Sequence, residues 1–553
     1  MKTHMKRYII PVALAVMCGS GLKAQQNVLP SRSLTIEGDY NPIMAEQGKI
    51  MPVPEKQRSF NQSVEVSYLT EPQAITSLKR EPMGVFGESS DSVRKPVFYG
   101  LARLGYGLRN LNEGLVDLGW NITSKDFLKL HGNMDGWNSK PLDSWRSRMF
   151  TSRIAADYVH IFGERLLLGM STDVGFSRYN YRPGKLMTDV KSSNSNLTQN
   201  TNEGSLSGFL DFKPGNGWSM SLAGGGEWLV RDGLELDGNK LPNKEGIIRI
   251  SAGVKKVINP SHAVSVDYRQ KSTVYSWKGM NGCKYNDFSE FTLSPVWYYS
   301  KDDLRTSVGL NMDFRTNAGE AFLISPSATL DYDMNSRFCL NLGAVGGVQE
   351  YDMRKLARIS PYWSENECII DGYNTINLYA GLTYNNTKWL NMAARMGFRH
   401  TNDEVFQTAS DSLLVTSVLK QQSADVFYMR VDADMCFSDR AQLKMDLTYS
   451  NYIGSYRGHK MDLKPAFDAN VFGSFTIMKG LDAMFSYRMM IFHWVMGKSM
   501  PTVNDLSVTA DYDLTDKLSF YATIKHIMGG DFYYYAGYRS LKPAFMLGAT
   551  CRF

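Results

Sequence analysis

Residues 424–450 read ADVFYMRVDADMCFSDRAQLKMDLTYS, and this stretch decides the fold. Phe427, Met429, Val431, Ala433, Met435 and Phe437 alternate with Tyr428, Arg430, Asp432 and Asp434. Successive side chains of an extended chain point to opposite faces, so the spacing makes one face apolar and the other charged. After Ser438-Asp439-Arg440 the division returns, with Leu443, Met445, Leu447 and Tyr449 against Lys444, Asp446, Thr448 and Ser450. Two such runs around a tight turn predict a β-hairpin with one face suited to lipid and one to water. The same alternation sets Val308, Leu310, Met312 and Phe314 against Ser307, Asn311, Asp313 and Arg315. It recurs with Leu506, Val508, Ala510 and Tyr512 against Ser507, Thr509, Asp511 and Asp513.

A soluble sandwich also alternates, and the connections separate the two cases. Tight turns at 123–126, 163–164, 214–217, 259–261, 301–303, 335–337, 385–387, 479–480 and 515–517 are interleaved with long polar stretches. Examples of these are 139–145, 182–202, 232–245, 278–287, 352–373 and 401–423. Short periplasmic turns opposite long external loops are the arrangement of bacterial outer-membrane barrels. Counting segments predicts an all-β fold: a large antiparallel transmembrane β-barrel of about 22 strands, an even number that leaves both ends in the periplasm. So many strands enclose a lumen too wide for wall side chains to fill, which calls for a plug, inward-folded loops or an open pore.

Composition agrees. Aromatic residues are 12%, with 30 Tyr, 27 Phe and 10 Trp, enough for two interfacial girdles. Mean hydropathy is −0.29, and beyond the N-terminus no run approaches the roughly 20 apolar residues of a spanning helix. The net charge of +6 is spread without a basic block, which excludes nucleic acid as a partner.

The chain divides into three parts. In residues 1–24, Lys2, Lys6 and Arg7 precede the apolar run 8–17 and a cleavage site at Leu22-Lys23-Ala24, the pattern of a signal peptide. Cys18 invites a lipoprotein reading, against which Met17 stands where a small residue should precede a lipidated cysteine. Residues 25–95, with six prolines from Pro30 to Pro82 and no sustained period, read as an extended periplasmic segment. Residues 96–553 are the barrel. Its last strand sets Phe545, Leu547, Ala549, Cys551 and Phe553 on one apolar face, resembling the C-terminal signal read by the barrel-assembly machinery.

Chemistry is sparse. The histidines form no HExxH and no close pair, there is no GxSxG, P-loop or GxGxxG, and no cofactor or enzymatic activity is expected. The scattered cysteines contain no CxxC; Cys283 and Cys368, both in external loops, either pair or remain thiols. The charged face supplies the lumen-facing candidates Arg305, Asp313, Asp331, Asp333, Arg430, Asp432, Asp434, Lys444 and Asp446. They read either as a lumen that selects a solute or as a hydrated wall whose opposite charges pair across strands.

Leu34-Thr35-Ile36-Glu37-Gly38-Asp39-Tyr40-Asn41-Pro42, followed by Lys49-Ile50-Met51-Pro52, is the most word-like part of the tail. With the Gln25-Gln26 start and the barrel, it resembles the TonB-dependent-receptor-like outer-membrane proteins of the Bacteroidota, here without a full plug domain. That resemblance implies a transporter-type barrel in the cell outer membrane, surrounded by outer-membrane lipid. It also implies that Asp39, Tyr40, Asn41 and Pro42 contact TonB-like or other periplasmic machinery. The expected function is a transport or channel barrel for an unidentified solute. The alternative is a non-transporting scaffold or assembly component that binds partner proteins.

Overall fold

Alternating apolar and polar residues have one stable use when both faces need different solvents, and the chain adopts it throughout. The computed structural model describes residues 98–553 apart from connecting stretches, the longest being 140–146, 184–197, 233–242, 277–284 and 493–500. The signal and tail, with Asp39, Tyr40, Asn41 and Pro42, lie outside the described residues, as does Cys283. Twenty-two long strands follow in chain order, each antiparallel to the next. The first, Phe98–Gly107, pairs with the last, Ala544–Arg552, from Leu101 with Arg552 to Gly107 with Met546. The sheet therefore closes into a barrel with no free edge, which is what lipid demands of strands.

The hairpin that decided the reading folds as expected. Strands Leu414–Ser438 and Ala441–Tyr452 pair with Val431 opposite Leu447 and Asp434 opposite Lys444. Phe427, Met429 and Phe437 are exposed on its outer face, and Ile154, Val174, Leu222 and Ile248 elsewhere do the same, Ile154 keeping 69% of its surface open. So continuous an apolar exterior is a lipid-facing belt, and the barrel is an outer-membrane barrel. Trp218, Trp297, Trp389, Phe437 and Tyr512 lie near the short turns, with Tyr106, Trp228 and Phe322 toward the other rim, forming two aromatic bands.

One sequence expectation is corrected. Of residues 401–423, read as a long loop, 401–411 and 414–423 are continuations of strands Leu390–Asp411 and Leu414–Ser438, paired from Glu404 with Gln422 to Asp411 with Val415. A register shift between Thr401 and Glu404 breaks the parity, and above the membrane no lipid selects one face. Alternation, the signal used to find strands, has no physical cause there. The result is a tall hairpin that rises over the mouth.

Closure is keyed from inside. The Tyr521 ring lies across Gly105 and Gly548 so tightly that a Cβ at either would come within 2.3 Å of it. The Arg103 guanidinium caps the ring 3.6 Å from its centre and also meets Glu113 at 3.2 Å. Glycine is needed at both positions to admit the ring.

The two faces differ in what they tolerate. Ile154→Arg, near the middle of a strand on the lipid face, should destabilise the barrel in vesicles by about 2–4 kcal/mol. Asp434→Ala, in an exposed ion pair, should cost under about 1 kcal/mol. Urea titrations of both variants measure this, and equal costs would reverse the assignment of faces.

Candidate functional site at the outer mouth

The connection between strands Phe338–Gln349 and Gly372–Asn386 turns inward instead of outward. Met353–Ile359, MRKLARI, consists mostly of good helix formers, and Asp352 caps the helix by accepting from the Lys355 N–H at 2.8 Å. Met353 and Leu356, three apart and so on one face, are buried. Ser360 ends the helix before Pro361, which cannot continue it.

This cap reaches the wall on one side through charge. Arg354 donates to the Gly204 carbonyl and lies 3.5 Å from Glu203 and 3.9 Å from Glu227. The Met353 N–H donates to the Glu245 carboxylate at 3.0 Å. Arg249 joins Glu227 at 2.7 Å, Glu350 at 2.7 Å and Asp352 at 3.4 Å. Lys271, almost fully buried, meets Asp371 at 2.5 Å, and Arg315 donates to the Asp371 carbonyl at 2.6 Å. Breaking a pair as buried as Lys271–Asp371 is costly, because the remaining charge has no water to turn to.

On the other side the contacts are apolar and backbone-mediated. Tyr351, Met353, Leu356, Trp363 and Ile369 form a buried cluster with Val405 and Leu419 of the tall hairpin, and with Leu229. Trp363 and Ser364 pair in parallel with Ser417 and Val418. Near the tip, Leu414 and Val415 pair with Pro183 and Arg182. Arg182–Pro183 follows strand Leu166–Asn180, far around the barrel from Leu414–Ser438, so the hairpin straps the mouth from wall to wall.

A tyrosine cluster completes the closure. Tyr362 stacks on Tyr538 with ring centres 3.5 Å apart and packs edge-on against Tyr179, Tyr181 and Tyr535. Thus the connection carrying Tyr535 and Tyr538 also folds over the lumen. Arg231, buried beneath, donates to the Tyr181 hydroxyl at 2.5 Å and the Trp363 carbonyl at 3.1 Å, its guanidinium 4.5 Å from the Trp363 ring. Burial drives the Tyr362 and Tyr538 hydroxyls far above their ordinary range, so the cluster stays neutral. Burial alone would also raise the Glu350 carboxyl, but Lys271, Arg249 and Lys355 outweigh it and hold it at about 2.

The nine charged candidates lie on the inner wall in three paired groups and one single site. Arg305 forks onto Asp333 at 2.6 and 2.8 Å, and Asp331 beside them accepts from Asn341 at 2.6 Å. Arg430 bridges Asp432 at 2.9 Å and Asp446 at 2.8 Å. Asp434 and Lys444 are 3.7 Å apart, each about half exposed. Asp313 is buried apart from the other eight, accepting from Tyr373 at 3.0 Å and from Thr292 at 2.5 Å. In the closing strand Phe545, Leu547 and Phe553 are exposed on the lipid side, and Ala549 and Cys551 share their parity. The cap and its partners Glu203, Glu227, Glu245, Arg249 and Lys271 escaped the sequence reading. The available signal was the MRKLARI run, apolar at 353, 356 and 359 inside a supposed loop.

No family model matches the sequence, and no curated protein does. Solved structures do match. The siderophore receptor PirA from Acinetobacter baumannii is 12% identical with a TM-score of 0.64, covering 84% of this chain and 81% of that one. The fold is that of the large receptor barrels. The ferric-catecholate import receptor Fiu from Escherichia coli K12 is 10% identical, TM-score 0.60, over 83% and 82% of the two chains. The copper transporter OprC is 11% identical, TM-score 0.59, over 84% and 82%. These neighbours are receptors and a transporter by name, not enzymes.

Two outcomes are expected. Cys339, Cys436 and Cys551 carry no disulfide, Cys368 does, and the Tyr285 hydroxyl accepts from the Ile369 N–H at 3.2 Å. A non-reducing digest should therefore join the Cys283 and Cys368 peptides, and unlinked peptides would contradict it. Glu350, depressed from 4.5, supports the cap fully above pH 4.5 and ceases to as pH falls through about 2. Fluorescence of Trp363 should report loosening in that window, and Glu350→Gln should remove that part of the pH dependence.

Proposed function

We propose that the protein is a transport barrel of the outer membrane, TonB-dependent-receptor-like and of the Bacteroidota type without a full plug, whose outer mouth is closed by its own loops. The observation that carries this reading is the contrast inside one lumen. Beneath a buried, ion-paired cap, the wall near the short turns presents half-exposed charges such as Asp434 and Lys444. A hydrated wall under a closed lid suits a path that opens on demand. The likeness in fold to receptors for siderophores and to a copper transporter supports a solute as cargo, without naming it.

In this reading residues 1–24 direct export, the barrel-assembly machinery reads the final strand, and residues 25–95 work from the periplasm. Asp39, Tyr40, Asn41 and Pro42 would meet a TonB-like partner there. The lumen charges tune passage. The closed mouth also favours a second reading, a scaffold that binds partner proteins and moves no solute.

Conductance in planar bilayers separates the two. The full chain should pass little current. Removing residues 25–95 and replacing 351–363 by a short glycine-serine turn should each raise it, and doing both should raise it most. No current in any folded form would overturn transport and favour the scaffold. A peptide of residues 34–42 should compete with the full chain for a TonB-like protein, while a scrambled one should not.

A further inference from the structure

The cap is fastened by different physics at its two edges. Among the described residues, every ion pair between the segment Glu350–Trp363 and the wall goes to one run of neighbouring strands. Their partners are Glu203 on Thr198–Gly215, Glu227 on Trp218–Arg231, Arg249 on Asn243–Asn259 and Lys271 on His262–Ser276. The opposite edge meets the tall hairpin by apolar packing on Val405 and Leu419, and by the hydroxyl contact of Ser360 with Ser417 at 2.8 Å. It also meets it through the strand pairing of Trp363 with Ser417 and the Ser417 N–H donated to the Tyr362 carbonyl at 2.9 Å, and at this edge the wall's Arg231 donates to the Pro361 and Trp363 carbonyls, which stay in place when the helix moves.

These two fastenings respond differently. Coulombic contacts weaken as ions screen them or as a competing charge takes a partner, whereas apolar burial and backbone pairing do not. Ions reach this edge through Arg249, which retains 30% of its side-chain surface, and through Glu203 and Glu227, which retain about a quarter, whereas Arg354 keeps 10% and Lys271 4%.

We infer that the cap is a hinged lid. The charged edge at Arg354, Arg249 and Lys271 is the latch, and the edge paired with the tall hairpin is the hinge, so that opening releases the former and leaves the latter intact. The helix Met353–Ile359 leaves the acidic wall at Glu203 and Glu227 and turns about its edge on the hairpin, which stays paired with Arg182 and Pro183. This deepens the transport reading by naming how its lid moves, and takes from it only that the lid opens.

Hydrogen exchange of the full chain in lipid nanodiscs tests it without reference to current. Raising salt from about 0.1 to 1 M shortens the screening length from about 10 to 3 Å. Amides of Leu356–Ile359 should then exchange at least about tenfold faster, while Ser417 and its neighbours on the hairpin keep their protection. Arg354→Glu should produce the same change at low salt. Adding Glu203→Arg and Glu227→Arg to that variant should restore protection, which excludes misfolding as the cause. Helix amides indifferent to salt and charge reversal, or a Trp363–Ser417 pairing that opens together with the helix, would overturn the hinge. Release of the helix with no bilayer current would leave the hinge standing and remove the transport reading instead.

Discussion

A closed sheet of 22 strands cannot fill its own interior. Closure is forced by lipid, which leaves no partner for an unpaired strand edge. The diameter follows from the strand number, and the lumen follows from the diameter. What occupies that lumen is consequently the question on which the function turns. Here the outer end is answered by the protein's own connections: the helix Met353–Ile359, the tip of the hairpin of strands Leu390–Asp411 and Leu414–Ser438, and the tyrosines around Tyr362.

The interior is correspondingly zoned. Toward the short turns, opposite charges pair along the wall, as Arg305 with Asp333 and Arg430 with Asp446. Such exposed pairs contribute little to stability and keep the wall wet. Toward the mouth the pairs become buried, as Lys271 with Asp371, and are joined by apolar packing. Buried pairs cost desolvation, and retaining them suggests a specified geometry more than added strength. A lid held by charge on one edge and by packing on the other can be firm at rest and still be released.

Much of the barrel was legible in the sequence because lipid imposes a period of two. Residues 424–450 carry that period so cleanly that face and turn could both be read from Phe427, Met429 and their polar neighbours. Where lipid ends, legibility ends with it. Residues 401–411 and 414–423 are strand without alternation, since Glu404, Val405 and Phe406 are all buried in succession. The cap was invisible for a related reason. Its wall partners, Glu203 to Lys271, lie on four consecutive strands and become neighbours only when those strands pair, so no local spacing marks them. Arg249 does stand between the lipid-facing Ile248 and Ile250, but a period of two marks it only as inward-facing and says nothing of the Glu350 and Asp352 it meets in the mouth.

Access to the lumen tests the central claim most directly. A cysteine at position 434, in a chain whose Cys339, Cys436 and Cys551 are replaced by alanine, lies on the inner wall near the short turns. Exposed to a bulky membrane-impermeant maleimide, intact cells should leave it unlabelled, and cells whose periplasm has been opened should label it readily. Equal labelling from outside in intact cells would mean that the mouth stands open, and the account of a barrel closed by its own loops would fall.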